Sequence, residues 1–511
     1  MLVKIPSMSN SGLETIGIDV EVNVASRGLP TFEIVGLPSK AVDESKERVK
    51  TAIINSKIEF PSRRITVNLA PADIPKEGSF YDLPIAVGIL AVMLGCELPE
   101  KSLFLGELSL DGSLRHTRGA LLLALFAKEK GIKNIFVPKT SANEAAIIEG
   151  VDVYPLENLN QLLAYFQGEA QLKPAEYQEV EDDRPEAEFD MAEILGQEQA
   201  KRAMEISAAG GHNLFMVGCP GSGKTMLARA LPGILPALTE RESLEVTKIY
   251  SVSGYIPPEG AVIRQRPFRA PHHTISRVGL IGGGARPQPG DVSLAHRGIL
   301  FLDEFNEFPR SVLEALRQPI EDGYLTISRS RERVSYPSQF ILIASANPCP
   351  CGYLHHPKKA CLCTPREISK YRKRVSGPIL DRIDLHVEAP VVDIKELSKD
   401  RSIKDGLEPS AKIRTRIIEA RETQKMRFKD EEMHTNAEMK NKQIKKYCPL
   451  SKEVKQLLQQ AGLNFHLSAR SYFKMIKIAR TIADLECSQD ITVSHMAEAL
   501  QYRPRIQESQ L

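Results

Sequence analysis

The stretch NLFMVGCPGSGKTMLARAL constrains this chain more than any other: a short apolar run leads into a glycine-rich turn and then into an apolar-periodic helix. The turn is Gly218, Cys219, Pro220, Gly221, Ser222, Gly223, Lys224 and Thr225. Glycines let the backbone curl until its amides aim at phosphate oxygens, and the helix N-terminus adds positive potential. Lys224 is then placed to reach the β and γ phosphates of a nucleotide, and the Thr225 hydroxyl to ligate Mg²⁺. A strand, loop and helix in this order belong in a largely parallel sheet, so the expected fold class is α/β.

Two further strands are expected to finish the site. GILFLDEFNE reads as a buried strand delivering Asp303 and Glu304 to the sheet edge where open α/β sheets bind ligands. Asp303 is the candidate magnesium holder. Glu304 is the candidate that orients or activates the attacking water. FILIASANP brings Asn347 to the same edge, where an amide can hold that water or sense the γ-phosphate; a capping Asn is the competing reading. Arg382, in SGPILDRIDLHVEAP, and Arg470, in NFHLSARSYFKMIKIARTIADLE, are candidates to stabilise phosphate charge across a subunit boundary. Spacing alone does not separate that role from surface salt bridging.

The 511 residues leave room for two to four domains. The net charge of +2 excludes a wholly basic binder, so any nucleic-acid contact must come from local patches. The start, MLVKIPSMSN, carries no signal-peptide pattern, and an apolar run of membrane-spanning length is missing. A cytoplasmic protein without membrane partners is expected. Residues 1–168 alternate short strands and helices, with a strand at 135–138 and a helix over 118–130 closed by Gly131. An acidic linker is expected at 169–190, where eight acidic residues between Glu176 and Asp190 face one Arg184. The P-loop domain spans 191–395. Beyond 396 the sequence reads as all helical, over 410–430, 441–461, 466–486 and 492–501.

In YLTISRSRERVSYP, Arg329, Arg331 and Arg333 fall on alternate residues of an expected hairpin, hence on one face of a strand. A solvated surface hairpin is the bland reading. VIRQRPFRAPHHTIS adds Arg264, Arg266 and Arg269 as candidate phosphate contacts, while the adjacent His272 and His273 read as structural. In CPCGYLHHPKKACLC, nine residues separate Cys351 from Cys361, so Cys349, Cys351, Cys361 and Cys363 could close a zinc tetrahedron, with His355 or His356 as substitutes. Four reduced thiols without metal is the alternative. Cys96, Cys219, Cys448 and Cys487 are isolated and read as packing.

Taken together, QPGDVSLAHRGILFLDEFNEFP, LEALRQPIEDG, ANPCPCGY, SGPILDRIDLHVE and LSARSYFKMIKIARTIADL resemble the ComM/YifB family of magnesium-chelatase-like AAA+ ATPases, over essentially the whole chain. The resemblance implies Walker A at Lys224 and Thr225, Walker B at Asp303 and Glu304, sensor 1 at Asn347, an arginine finger at Arg382 and sensor 2 at Arg470. It places Gly196 and Gln197 by the adenine and the arginine hairpin in the pore of a homo-oligomeric, hexameric ring. It also implies ATP, Mg²⁺, DNA as cargo, recombination proteins as partners, branch migration as activity, and a helical lid at 396–511. A chelatase motor subunit acting on a protein partner is the alternative. Residues 1–168 resemble the Lon-protease domain, an α+β fold, in ITVNLAPADIPKEGSFYDLPIAVGIL and LGELSLDGSLRHTRGALLLALFAKEKGIKNIFVPK. There Asp82 and Leu121 stand where a Ser/Lys dyad is required, and Ser79 lies three residues early, so that domain is expected to be proteolytically inactive.

Overall fold

The computed structural model describes residues 2–76, 78–178, 187–256, 262–284, 287–328, 333–354, 356–391, 407–431 and 433–504. Arg329, Arg331 and His355 lie outside them. The chain divides into two compact units, one taking in Met1–Asp182, Ser243–Ile263 and Ser328–Ser335, the other Asp183–Glu242, Arg264–Ile327 and Tyr336–Leu511.

The first unit is α+β. Strands β1 (Leu2–Ser11), β2 (Glu14–Val24), β3 (Thr31–Val35) and β4 (Arg64–Ala70) form one sheet in the order β1-β2-β4-β3, with the β3–β4 pair parallel and the others antiparallel. Alternation along β2 and β4 buries Val20, Val22, Ile65, Val67 and Leu69 on one face. Helix α1 (Ser45–Asn55) precedes β4, and α2 (Asp82–Leu94) follows it. Every residue of α2 from Asp82 to Ala91 is buried, so the helix is apolar all round except for its first residue. Gly88 lets it approach β2: a Cβ there would stand 2.4 Å from Val22 Cγ2. A parallel three-stranded sheet joins β5 (Ser102–Phe104), β6 (Asn134–Pro138) and β7 (Asp152–Leu156). The expected helix runs from Ala120 to Lys130 as α3 and stops at Gly131, φ 68°.

The acidic run is shorter as a linker than expected. Ala175 N–H donates to Val153 O (2.7 Å), and Asn143 and Gln178 exchange hydrogen bonds of 2.8 and 3.0 Å, so the residues before 179 belong to the first unit's surface. At the other end Asp190 caps the turn Met191–Glu193 and accepts the Ser410 amide at 3.1 Å.

The second unit holds a five-stranded parallel sheet. Helix α4 (Glu198–Gly210) leads into β8 (Leu214–Gly218), and α5 (Lys224–Ala230) follows the P-loop. The remaining strands are β9 (Phe268–Arg269), β10 (Ile299–Leu302), β13 (Ile341–Ala346) and β14 (Leu385–Ala389), in the sheet order β9-β10-β13-β8-β14; β11 (Tyr324–Ser328) and β12 (Arg333–Pro337) make a separate two-stranded sheet. Fully buried β10 and β13 read as near-continuous apolar runs, broken only by Ser345, as expected of parallel strands covered on both faces. Helix α6 (Pro365–Arg372) lies between β13 and β14. Beyond β14 come α7 (Ser410–Arg427), α8 (Asn441–Tyr447), α9 (Lys452–Asn464), α10 (Ala469–Leu485) and α11 (Val493–Gln501). Ile417, Met475 and Ile482 on these helices share one core with Leu214, Met216 and Leu227 around the P-loop strand. The helix expected over 441–461 is two helices, broken before Ser451, whose hydroxyl caps α9 by accepting from Val454 N–H at 3.3 Å.

Candidate active site

All strands of the sheet run the same way, so the turns after their carboxyl ends meet at one edge. There β8 releases the P-loop. Gly221 (φ 76°) and Gly223 (φ 86°) hold it in left-handed backbone, and a Cβ on either would meet nothing within 4 Å. The loop thus leaves open space on one side, which a bulky polyanion needs. Lys224 is 8% exposed and its ammonium donates to Gly218 O (2.6 Å), Cys219 O (3.0 Å) and Asn347 Oδ1 (3.4 Å). Burial pushes this ammonium below its ordinary range, and nearby Asp303 and Glu304 pull it back up.

Thr225 Oγ1–H donates to Asp303 Oδ2 at 2.8 Å. Two adjacent ligands of octahedral Mg²⁺, each about 2.1 Å from the ion, stand roughly 3 Å apart, so this pair fits a shared cation. Ser345 Oγ donates to Asp303 as well, which fixes the carboxylate against β13. Two buried polar atoms beside the loop, Ser222 Oγ and Gln197 Oε1, have no partner among the described residues. Gln197, in left-handed backbone (φ 60°) next to Gly196 (φ 68°), donates its amide to Ser222 O (2.9 Å) and Pro390 O, tying the P-loop to the end of β14. The residues present fit a nucleoside triphosphate with its divalent cation.

Glu304 is exposed, in left-handed backbone (φ 52°), and its carboxylate lies 3.1 Å from His273 Nδ1. His273 lies against His272, ring centroids 4.0 Å apart and planes tilted by 34°, and meets Phe308 edge to face. Reading the histidine pair as structural misses this contact. No local signal marks it, because His273 sits in a segment without regular structure.

Arg382 and Arg470 are not at this edge. Arg382 precedes β14 and donates to Glu321 Oε2 (Nε, 3.0 Å); Arg470, at the start of α10, donates to the same carboxylate. They therefore lie at the amino edge of the sheet, across a five-residue strand about 16 Å long from the turn that holds Gln197.

The candidate phosphate contacts separate in the same way. Arg266 is held by Glu242 (Nη2 to Oε2, 3.1 Å) and by the carbonyls of Pro236 (2.7 Å) and Arg297 (2.6 Å), which makes it an internal tie. Arg269 is bound to Asp291 at 2.7 Å. Both guanidiniums are committed within the unit, contrary to the phosphate-contact expectation. Arg264 and Arg333 are exposed. Sequence reading missed a cleft lined by Arg310, Arg366, Lys370, Lys373 and Arg374 against one carboxylate, Glu307, which pairs with Arg374 at 2.5 Å.

The four cysteines converge. Cys349 Sγ lies 3.4 Å from Cys351 Sγ and 3.6 Å from Cys361 Sγ; Cys351 and Cys361 are 3.6 Å apart, and all four sulfurs fall within 4.8 Å of one another. A tetrahedron with Zn–S bonds of about 2.3 Å has edges of roughly 3.8 Å. His356 turns inward to its own loop, accepting from Lys358 N–H and Lys359 N–H at 3.0 Å.

A parallel sheet with a P-loop after β8, paired acids after β10 and an asparagine after β13 defines the AAA+ fold of the magnesium-chelatase-like class. Residues 190–397 match the family model for magnesium chelatase subunit ChlI, 20–141 that for subunit ChlI of Mg-chelatase, and 407–503 that for the ChlI C-terminal region. The chain is 43% identical over 494 residues to the YifB protein of Salmonella typhimurium, covering 96% of this chain and 95% of that one. It is 40% identical over 508 residues to the competence protein ComM of Haemophilus influenzae, covering 98% and 97%. A magnesium-chelatase 38 kDa subunit of Cereibacter sphaeroides is 25% identical over 176 residues, 31% of this chain and 53% of that protein. The chain belongs to the ComM/YifB family of magnesium-chelatase-like proteins. No helix among the described residues is long and apolar enough to cross a membrane.

Proposed function

We propose that this chain is an ATP-hydrolysing motor that works as a six-membered ring on DNA in the cytoplasm and drives branch migration alongside recombination proteins. The observation that carries the reading is the meeting of Lys224, Thr225, Asp303, Glu304 and Asn347 at one sheet edge. Thr225 and Asp303 would hold Mg²⁺, which would supply charge neutralisation at the phosphates. Lys224 binds the β and γ phosphates, Glu304 orients the attacking water and takes its proton, and Asn347, beside Lys224, holds that water or senses the γ-phosphate. Arg382 and Arg470 sit a strand length from the P-loop of their own chain, which supports their action on ATP held by a neighbouring copy. The Cys349, Cys351, Cys361 and Cys363 set binds zinc.

For the cargo, the competence protein among the relatives supports DNA. Arg333, Arg264 and the cation-lined cleft of Arg310, Arg366, Lys370 and Lys373 are the described groups suited to phosphate contact; Arg329 and Arg331 complete the hairpin set from the sequence. The first unit serves as an assembly module without protease activity: Asp82 is fully buried and clamped by Arg48, and Leu121 is buried. Three family models named for magnesium chelatase favour a second reading, a motor that remodels a protein partner. Branch migration of a synthetic four-way junction, measured with intact protein and with Glu304→Gln, decides between them. A junction resolved in an ATP-dependent way by the intact protein alone is expected. An ATPase indifferent to DNA that moves no junction would transfer the assignment to the second reading.

A further inference from the structure

The cysteine cluster and the P-loop touch. The chain leaves β13 at Asn347 and reaches Cys349 two residues later, so the first thiol stands beside the amide that accepts from Lys224. Between Cys351 and Tyr353 the backbone turns through Gly352 (φ 80°), and there it rests on the P-loop: a Cβ on Gly352 would be 2.7 Å from both Cδ and Cγ of Pro220. The next residues continue the contact, with Cys219 Sγ–H 3.8 Å from Leu354 O. On the other side Pro348 O accepts from the Arg372 guanidinium at 3.4 Å, which anchors the loop's entry to α6.

Two features make this arrangement depend on a metal. Among the described residues between Ala346 and Pro365 there is no helix or strand, so no backbone ladder holds the loop in shape. All four cysteines are free thiols, so no disulfide does so either. The loop's backbone hydrogen bonds among the described residues are local turns, Gly352 N–H to Cys349 O and His356 N–H to Tyr353 O, both 3.0 Å, so the four sulfurs at near-tetrahedral spacing are the groups that would tie the loop's two ends together around an ion. Meanwhile the P-loop is open above Gly221 and Gly223 and supported from beneath Pro220 by the cysteine turn.

We propose that Zn²⁺ held by Cys349, Cys351, Cys361 and Cys363 is a brace for the nucleotide site: it holds Gly352 flat against Pro220 and so sets the shape of the P-loop and its affinity for nucleotide. The proposal rests on the zinc and ATP readings above and adds a coupling between them. Loss of the metal frees the turn, and the P-loop loses the surface it lies on. Gly352 is the positioning residue in this coupling. It ligates nothing, yet any larger side chain would lift the turn off Pro220.

The test measures zinc content and the affinity for a fluorescent ATP analogue on the same preparations of the full chain. Wild type should carry about one zinc per chain and bind the analogue. Gly352→Ala keeps all four thiolates; it should retain zinc while binding nucleotide at least about tenfold more weakly, the usual size of an effect from groups that support a site without joining it. Cys361→Ser with Cys363→Ser should lose both zinc and affinity, with circular dichroism showing that the helices persist. Lys224→Ala should keep zinc and lose nucleotide. With Co²⁺ in place of zinc, adding the analogue should shift the thiolate absorption bands. Wild type with clearly less than one zinc overturns the brace through its metal; zinc-loaded wild type that binds no nucleotide overturns the ATP reading instead. Unchanged nucleotide affinity in Gly352→Ala, or in a zinc-free cysteine variant, overturns the coupling while leaving both readings intact.

Discussion

Two carboxylates, the buried Asp82 in the first unit and the half-buried Asp303 in the second, end in opposite conditions. Asp82 is wholly buried and accepts two hydrogen bonds from Arg48, at 2.8 and 3.0 Å, and a third from the Leu108 amide at 3.2 Å. Its charge and its lone pairs are spent inside the fold. Asp303 accepts, among the described residues, from neutral donors: the Thr225 hydroxyl at 2.8 Å, the Glu304 amide at 2.9 Å and the Ser345 hydroxyl. Its charge is left for a cation that comes with a ligand. A carboxylate hydrogen-bonded by neutral donors can still take a cation, whereas one clamped by a guanidinium inside the fold is already neutralised by its own neighbours.

Four experiments could break this contrast. The largest effect is expected for Glu304→Gln, which should lower the ATP hydrolysis rate by about 10³-fold with nucleotide binding retained; a rate within a few fold of wild type would remove Glu304 from the chemistry. Next, Arg48→Ala leaves Asp82 buried without its cation, and should destabilise the first unit by about 3 kcal/mol or more in a melting experiment. An unchanged melt would mean that Asp82 is not held as an ion.

The third test is pH. His386 is pushed down to about 4, first by burial and then by nearby Lys474, and His212 is also lowered by burial. A histidine depressed in the folded state from 6.5 contributes stability that is complete above pH 6.5 and is lost as pH falls toward 4. For His386 this is at most about 3 kcal/mol. In the first unit burial raises both Asp82 and Glu144, although Arg48 and Ser251 pull against it. Those groups favour the folded state at low pH and lose that contribution as pH rises through their folded values. Between pH 6.5 and pH 4 the second unit should therefore soften first, as an earlier melting step that His386→Gln delays. The smallest effect is expected for His273→Ala, about tenfold or less in hydrolysis rate, because it frees Glu304 without removing it. An equal loss of nucleotide affinity would assign His273 to binding instead.

What the sequence disclosed was local. Lys224, Thr225, Asp303 and Asn347 each belong to a short string that carries its own strand and turn, and these strings assemble as read. The cysteine set followed from spacing in the same way. Contacts between distant strings stayed hidden. Glu321 binds Arg382 and Arg470 from the string LEALRQPIEDG, where nothing local announces that pairing, and Arg266 and Arg269 were already taken by Glu242 and Asp291. The segment Ser243–Ile263 lies between the Walker strings but groups with the first unit, where Ser251 donates to the buried Glu144 at 2.5 Å. Pairings of this kind depend on tertiary proximity, which no periodicity encodes. One miss was legible: Pro449 and Ser451 in CPLSKEV announce the end of α8 and the cap of α9.

Glu321 offers one carboxylate to the two guanidiniums of Arg382 and Arg470, so it neutralises each of them only in part. If the proposed ring forms, docking these arginines onto an anion of a second copy would exchange counter-ions more than create a new attraction, and exchanges of that kind respond to the salt around them. Assembly is expected to be favoured by dilute buffer and opposed by concentrated salt, a trend that sedimentation at several ionic strengths would register or refute.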